Sequence, residues 1–139
     1  MKNVKTGHQK PIVCLDAGHY GKYNRSPAFP SYYESDMNWK LHLLLKNELE
    51  SYGIEVVTTR KDKNKDLSLF ERGFASKGCD LFISIHSNAV GSSANEKVDY
   101  VSVYCLEKDA STKIDDNSRE LAKMLAPVIA KTMNVNQGS

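Results

Sequence analysis

The chain has 139 residues, 40% of them hydrophobic, which is enough for one globular domain that buries roughly two-thirds of its unfolded surface. Its 19 basic and 17 acidic residues leave a formal charge of +2, and the basic ones are scattered among acids, a pattern that argues against nucleic acid as a partner. Apolar stretches such as Ile12 to Leu15 and Leu43 to Leu45 fall far short of the ~20 residues of a membrane span, and the polar, basic tail of residues 1–10 lacks the apolar core of a secretory signal.

Pro11 to Ala17 reads as a short buried strand, because a run of branched and small apolar residues is closed by Asp16, Ala17 and Gly18. From Gly18 to Tyr33 the density of Gly, Ser and Pro forbids regular structure and leaves a loop able to carry function. Met37, Leu41, Leu44, Leu45, Leu49 and Tyr52 then recur at helical spacing, which predicts an amphipathic helix with these residues on its buried face and Gly53 as its C-cap. Glu55 to Thr59 is expected as a second strand, Leu67 to Lys77 as a short helix stopped by Gly78. Leu81 to His86 reads as a third strand, apolar enough to be covered on both faces, and Asp99 to Cys105 as a fourth. A last helix runs through Leu121, Leu125, Ile129 and Met133, capped by Asp115 or Asp116, with Pro127 expected to bend or divide it. Alternating strands and helices predict an α/β class, arranged as three α/β/α layers about a mostly parallel or mixed central sheet.

Cys14, Cys79 and Cys105 are odd in number and lack Cys-x-x-Cys spacing, so free thiols are expected instead of a disulfide framework or a structural zinc cluster. Asp62 to Asp66 begins like a calcium loop, but its sixth and twelfth positions are Leu67 and Gly73, so a solvated turn is expected.

Three possible metal ligands stand at element ends: His19 after the first strand, Glu34 where the first helix starts, and His86 after the third strand. In parallel α/β sheets, functional loops gather beyond the carboxyl ends of the strands, so these residues can converge there. Two imidazoles and one carboxylate leave a fourth tetrahedral position for water, as in hydrolytic zinc sites. Simpler roles compete: Ser31 and Glu34 have capping-box spacing, His86 suits a hydrogen-bonded core histidine, and His19 suits a turn residue.

Leu15-Asp16-Ala17-Gly18-His19, Glu34 opening a helix, Arg72 in a short helix and Ser84-Ile85-His86-Ser87-Asn88-Ala89 together resemble the zinc-dependent N-acetylmuramoyl-L-alanine amidases, which cleave peptidoglycan. The resemblance runs from about Ile12 to the end, and makes residues 11–139 an amidase-like catalytic domain. It implies Zn2+ as cofactor, with His19, Glu34 and His86 as its ligands. Peptidoglycan is the implied partner, without nucleic acid or membrane, and a monomer is expected. Tyr20 stands where many members have glycine, and Ser76 where an asparagine is common. The family's proton-transferring glutamate lies on a late strand, and Glu96, Glu107 and Glu120 lack its local sequence. The catalytic general base is therefore expected beyond Ser139, and a domain lacking its C-terminal part is expected to lyse walls poorly. A phage lysis enzyme held in the cytoplasm of an infected bacterium before reaching the wall is the expected setting, and a host wall-remodelling enzyme the second. The alternatives are a non-catalytic zinc-containing wall-binding or structural domain, and an α/β domain whose histidines hold no metal.

Overall fold

Branched and small apolar side chains make the segment after Pro11 a strand, and its position between two neighbours explains why nearly all of it is buried. The computed structural model describes residues 10–87, 99–106 and 116–138, distributed over two units, Met1–Ser92 and Ser93–Ser139. The first unit runs β1 (Ile12–Ala17), α1 (Glu34–Ser51), β2 (Glu55–Thr58), α2 (Leu69–Ala75) and β3 (Leu81–Ile85). These strands form a sheet in the order β2-β1-β3 with both pairings parallel, so that Leu15 lies between Thr58 and Ile83. Val13, Cys14, Leu15 and Ala17 are the buried apolar residues of this strand. The α/β class expected from the alternation of elements is the one observed.

Two expectations about burial need correction. β3 alternates, with Leu81, Ile83 and Ile85 half-buried but Phe82 and Ser84 exposed, because it borders the described sheet and pairs only with β1 there. Its continuous apolar run reflects strand propensity more than cover on both faces. On α1, the residues expected inside are largely outside: Met37, Leu41, Leu44 and Tyr52 are exposed, while Glu34, Ser35, Asn38 and His42 are buried. Glu34, Asn38 and His42 are four apart and share one face, and Leu45 and Leu49 continue it, half-buried. Glu34 and Asn38 turn inward because the site and the loop supply their hydrogen bonds, whereas His42 bonds the Trp39 carbonyl of its own helix.

The element ends follow the local chemistry. After Ser51 the chain turns through Gly53, whose φ of 80° a side chain would oppose, and the Ile54 N–H donates to the Leu49 carbonyl at 3.1 Å. Ser68 and Glu71 form a reciprocal capping box at the start of α2. Asp62 accepts the Asn64 N–H at 2.9 Å, so the segment that begins like a calcium loop is a turn.

The second unit contains β4 (Tyr100–Val101), α3 (Asp116–Met133) and β5 (Asn136–Gln137). The fourth strand is thus two residues long instead of spanning Asp99 to Cys105. It pairs in parallel with β5, itself two residues long, and a strand extends only as far as a partner supplies hydrogen bonds. α3 continues undivided through Pro127, with Ala122, Ala126 and Ala130 buried and Ile129 and Met133 exposed. The capping expected of Asp115 or Asp116, and Glu96 and Glu107, lie outside what is described. Among the described residues, no helix is long and apolar enough to cross a membrane.

Candidate metal centre

The site begins with the backbone at the end of β1. The Gly18 N–H donates to the Ile85 carbonyl at 3.0 Å, which draws β1 and β3 together where both strands end. At that point the His86 ring lies over Gly18 so closely that a Cβ on residue 18 would fall 2.4 Å from Cε1 and 2.5 Å from Nε2. Only glycine fits. The next residue, His19, has a φ of 59°, the left-handed region that non-glycine residues enter at a cost and that concentrates at functional sites.

Charged side chains hold this strained corner. Asp16, buried in β1, accepts Arg72 Nη1 at 2.7 Å, the Thr59 hydroxyl at 2.7 Å and the Ser84 hydroxyl at 2.8 Å. Arg72 also donates to the Ala17 carbonyl at 3.1 Å and the His19 carbonyl at 3.2 Å. Arg60, equally buried, donates to the Ala17 carbonyl at 3.0 Å and lies over the Trp39 ring at 4.8 Å. Backbone carbonyls that would otherwise be orphaned are satisfied by two guanidinium groups, which fixes where His19 projects.

Glu34 arrives from the opposite direction. It is the first residue of α1, after the N-cap Tyr33, which makes no side-chain cap bond. The first N–H groups of the helix go to loop carbonyls instead, Glu34 to Asn24 at 3.0 Å and Ser35 to Tyr23 at 3.4 Å. The capping-box pairing of Ser31 with Glu34 is therefore absent, and the Glu34 carboxylate is free for the site.

That carboxylate, 2% exposed, meets both histidines: Oε2 lies 3.1 Å from His19 Nε2, and Oε1 lies 3.1 Å from His86 Nδ1. The Ser87 N–H donates to Oε1 at 2.8 Å, the Asn38 amide to Oε1 at 3.4 Å, and the Asn24 amide to Oε2. Burial alone would push the Glu34 carboxyl up, but the Ser87 N–H, the two amides and the neighbouring His19 outweigh it and hold the group below its ordinary value. The carboxylate is thus kept ionised inside the protein. His19 stacks on Tyr23 at 5.0 Å and meets His86 edge-on at 4.9 Å.

The three expected ligands are brought together, with one ligand atom from each within 4.8 Å of the others. Bonds of about 2.0–2.1 Å in a tetrahedral zinc site place neighbouring ligand atoms about 3.4 Å apart. Each histidine lies 3.1 Å from a different oxygen of Glu34, and one atom from each residue falls within 4.8 Å, so a small inward movement of the rings brings the set to that spacing. The donor set of two imidazole nitrogens and one carboxylate is that of a hydrolytic zinc centre. The side chains of His19 and His86 remain 25% and 43% exposed, so the centre is buried on the Glu34 side and open on the histidine side. The residues present fit the metal.

Asn24, Asn38, Ser87 and Arg60 were not anticipated as parts of the centre. Asn38 carried a signal, since it stands one helical turn after Glu34. Asn24 did not, because its role depends on a loop turn with φ of 55° that brings its amide back to the carboxylate.

The N-acetylmuramoyl-L-alanine amidase family, Amidase_3, matches residues 13–139. The chain belongs to this family. Two solved structures have similar folds. The CwlD amidase from Clostridioides difficile, determined in complex with the GerS lipoprotein, superposes with a TM-score of 0.67 at 24% identity, over 88% of this chain and 66% of CwlD. The catalytic domain of CwlV, an N-acetylmuramoyl-L-alanine amidase from Bacillus (Paenibacillus) polymyxa var. colistinus, superposes with a TM-score of 0.57 at 26% identity, over 84% of this chain and 63% of that domain. The chain therefore spans just under two thirds of each amidase. No curated protein matches it significantly.

Proposed function

We propose that the chain is a zinc-dependent peptidoglycan amidase that hydrolyses the bond between the lactyl group of N-acetylmuramic acid and L-alanine. The observation that carries this reading is the buried, ionised Glu34 carboxylate held between two half-open imidazoles. Family membership supplies the bond type. His19, Glu34 and His86 would hold the zinc ion, which when bound would lower the pKa of a water and polarise the scissile carbonyl. The chain's own residues provide the rest. Ser87, Asn24 and Asn38 fix both carboxylate oxygens of Glu34, and Arg72 and Arg60 fix the backbone on which His19 stands. The open histidine side leaves space for the amide to approach. The site of action is the bacterial wall, reached as a phage lysis enzyme or as a host remodelling enzyme.

A non-catalytic, zinc-containing wall-binding domain is the second reading. It is favoured by one observation: among the described residues, Glu34 is the only carboxylate in the cluster, and it is committed as a ligand. Glu120 is an exposed helix residue paired with Lys123 at 2.7 Å.

Elemental analysis and dye release from labelled walls test these readings together. The expected result is close to one zinc per chain, lost in His19→Ala and His86→Ala, with wall cleavage that falls with the metal. Full zinc content in both variants would overturn the site. Zinc and wall binding without release of new termini would establish the second reading instead.

A further inference from the structure

The tip of the loop between β1 and α1 is a folded unit in its own right. Arg25 and Tyr33 pair as an antiparallel bridge, and the Ser26 N–H donates to the Tyr32 carbonyl at 2.9 Å. The Tyr32 N–H donates to the Phe29 carbonyl at 2.8 Å, and the Phe29 N–H to the Ser26 hydroxyl at 3.1 Å. A bond of 2.8 Å between the Tyr32 and Ser87 hydroxyls ties this tip to the end of β3. Between the two lies a cleft of about 230 Å³ lined by Asn24, Arg25, Phe29, Tyr32, Glu34 and Ser87. One side of it is the carboxylate ligand itself.

Arg25 is the cation of this cleft. Its Nε donates to the Pro30 carbonyl at 2.7 Å, which fixes the plane of the guanidinium. Among the described residues no carboxylate pairs with it, and its two terminal nitrogens make no hydrogen bond there. Phe29 is 70% exposed and offers an apolar wall beside that charge. A cleft with the Glu34 carboxylate on one side and an oriented guanidinium on another offers an anion a seat on Arg25 beside the centre.

The substrate class of the proposed function decides which anion. The carboxyl of the lactyl group is consumed in the scissile amide, so the glycan side offers no charge near that bond. The peptide side does, because glutamate follows the first alanine of the stem and presents either a free carboxylate or, when amidated, a neutral amide. We infer that the cleft receives the peptide side of the substrate and that Arg25 selects stems whose second residue carries a free carboxylate. This inference rests on the amidase reading and adds a specificity determinant to it. A planar guanidinium accepts a carboxylate in two parallel charge-assisted hydrogen bonds, whereas an amide offers one oxygen and no charge. Phe29 covers the methyl and methylene groups between the bond and the carboxylate.

The test uses two probes with the γ-carboxyl blocked as a methylamide, N-acetylmuramoyl-L-alanyl-D-glutamate γ-methylamide and its D-isoglutamine counterpart, which differ only in a free or amidated α-carboxyl. They are titrated into the zinc-loaded protein and followed by NMR. Loss of one charge-assisted pair predicts that the acid binds about tenfold more tightly than the amide. Arg25→Gln should bring that ratio to about one, Arg25→Lys should restore part of it, and Phe29→Ala should weaken both probes without changing it. A merely structural role for Arg25 would weaken both probes equally and leave the ratio intact, which would overturn the inference. So would equal affinities in the unsubstituted protein, or failure to bind either probe. A preference seen in protein that cleaves neither probe would sink the amidase reading and leave Arg25 selection standing. Cleavage of both at equal rates and affinities would do the reverse.

Discussion

Arg72 Nη1 lies 2.7 Å from Asp16 Oδ1, and through its second amino group the same guanidinium holds the carbonyl of His19 at 3.2 Å. One buried ion pair thereby connects the middle strand of the sheet to the backbone of His19, a residue of the candidate centre. Both partners are at least nine-tenths buried, so removing Arg72 leaves the Asp16 carboxylate inside with its paired charge gone and the Thr59 and Ser84 hydroxyls as its remaining hydrogen bonds. Arg72→Met is expected to cost about 3–5 kcal/mol of stability by urea unfolding, a range typical of broken buried pairs. Arg72→Lys should recover only part of this loss, since an ammonium cannot reach Asp16, Ala17 and His19 together.

Gly18 makes a prediction of a different kind. A methyl group there would strike the His86 ring, which is partly exposed and can swing toward solvent. The fold should therefore tolerate Gly18→Ala while the site does not. Zinc affinity is expected to fall about 10- to 100-fold, the range seen when the surroundings of a ligand are altered, with the urea midpoint little changed. Competition with a chromophoric chelator measures it, and unchanged affinity would mean that His86 does not hold the metal in this orientation.

His42 gives the stability a pH dependence. Burial first, and then the charges of Arg60 and Lys46, lower its pKa below the ordinary 6.5, against the opposing effects of the Trp39 carbonyl and Asp16. The Trp39 carbonyl lies 2.6 Å from Nδ1. Between the lowered folded value and 6.5, the unfolded chain binds the proton and the folded one does not, so stability rises with pH across that window and is lost as pH falls below 6.5. Urea midpoints measured from about pH 7.5 down to about pH 5 should decline less steeply in His42→Gln than in the unsubstituted protein, because the substitution removes this linkage. Parallel slopes would refute the assignment.

The three thiols should separate by reactivity. Cys14 is fully buried in β1, and burial, followed by the neighbouring Cys79 and Asp16, pushes its thiol up to about 11. Cys79 and Cys105 are half-buried. Because the thiolate is the reactive form, a disulfide reagent at neutral pH should titrate Cys79 and Cys105 first and reach Cys14 only on unfolding. Modification of Cys14 at the rate of the others would show that β1 opens readily.

Legibility in the sequence followed the strength of the local signal. β1, α1, β2, α2 and β3 lie within a residue or a few of their expected limits because each has a clear period or stop, such as Gly53 after α1. The inward face of α1 was misjudged because hydrophobic periodicity assumes that burial follows apolarity. Here Glu34 and Asn38 go inside, since the loop and the centre offer them partners, and His42 does so against Trp39 of its own helix, while Met37, Leu41 and Leu44 stay outside. The convergence of His19, Glu34 and His86 was legible, weakly from their placement at the ends of two strands and one helix and more sharply through the family resemblance. Its support was not, since Asn24 and Ser87 act through loop geometry and backbone N–H groups that leave no trace in residue type. The short β4 has the same origin: strand length is set by the partner, and β5 carries no sequence signal of its own.

Around the centre, the interior of the first unit is unusually polar: Asp16, Glu34, Ser35, Asn38, His42, Arg60 and Arg72 are all buried, beside a small apolar group from β1. An apolar interior constrains volume, and it accepts another side chain of similar size. A hydrogen-bonded interior constrains direction as well, and few replacements reproduce an angle and a charge together. Sequence change should therefore be distributed unevenly in this molecule. Leu15 has latitude to become isoleucine or methionine, whereas Asn38, Arg60 and Arg72 have almost none, although none of the three is a ligand. Divergence at the exposed leucines of α1 can run far ahead while the corner around Gly18 and His19 stays fixed, so the chain can drift to low overall identity with its relatives without surrendering its chemistry.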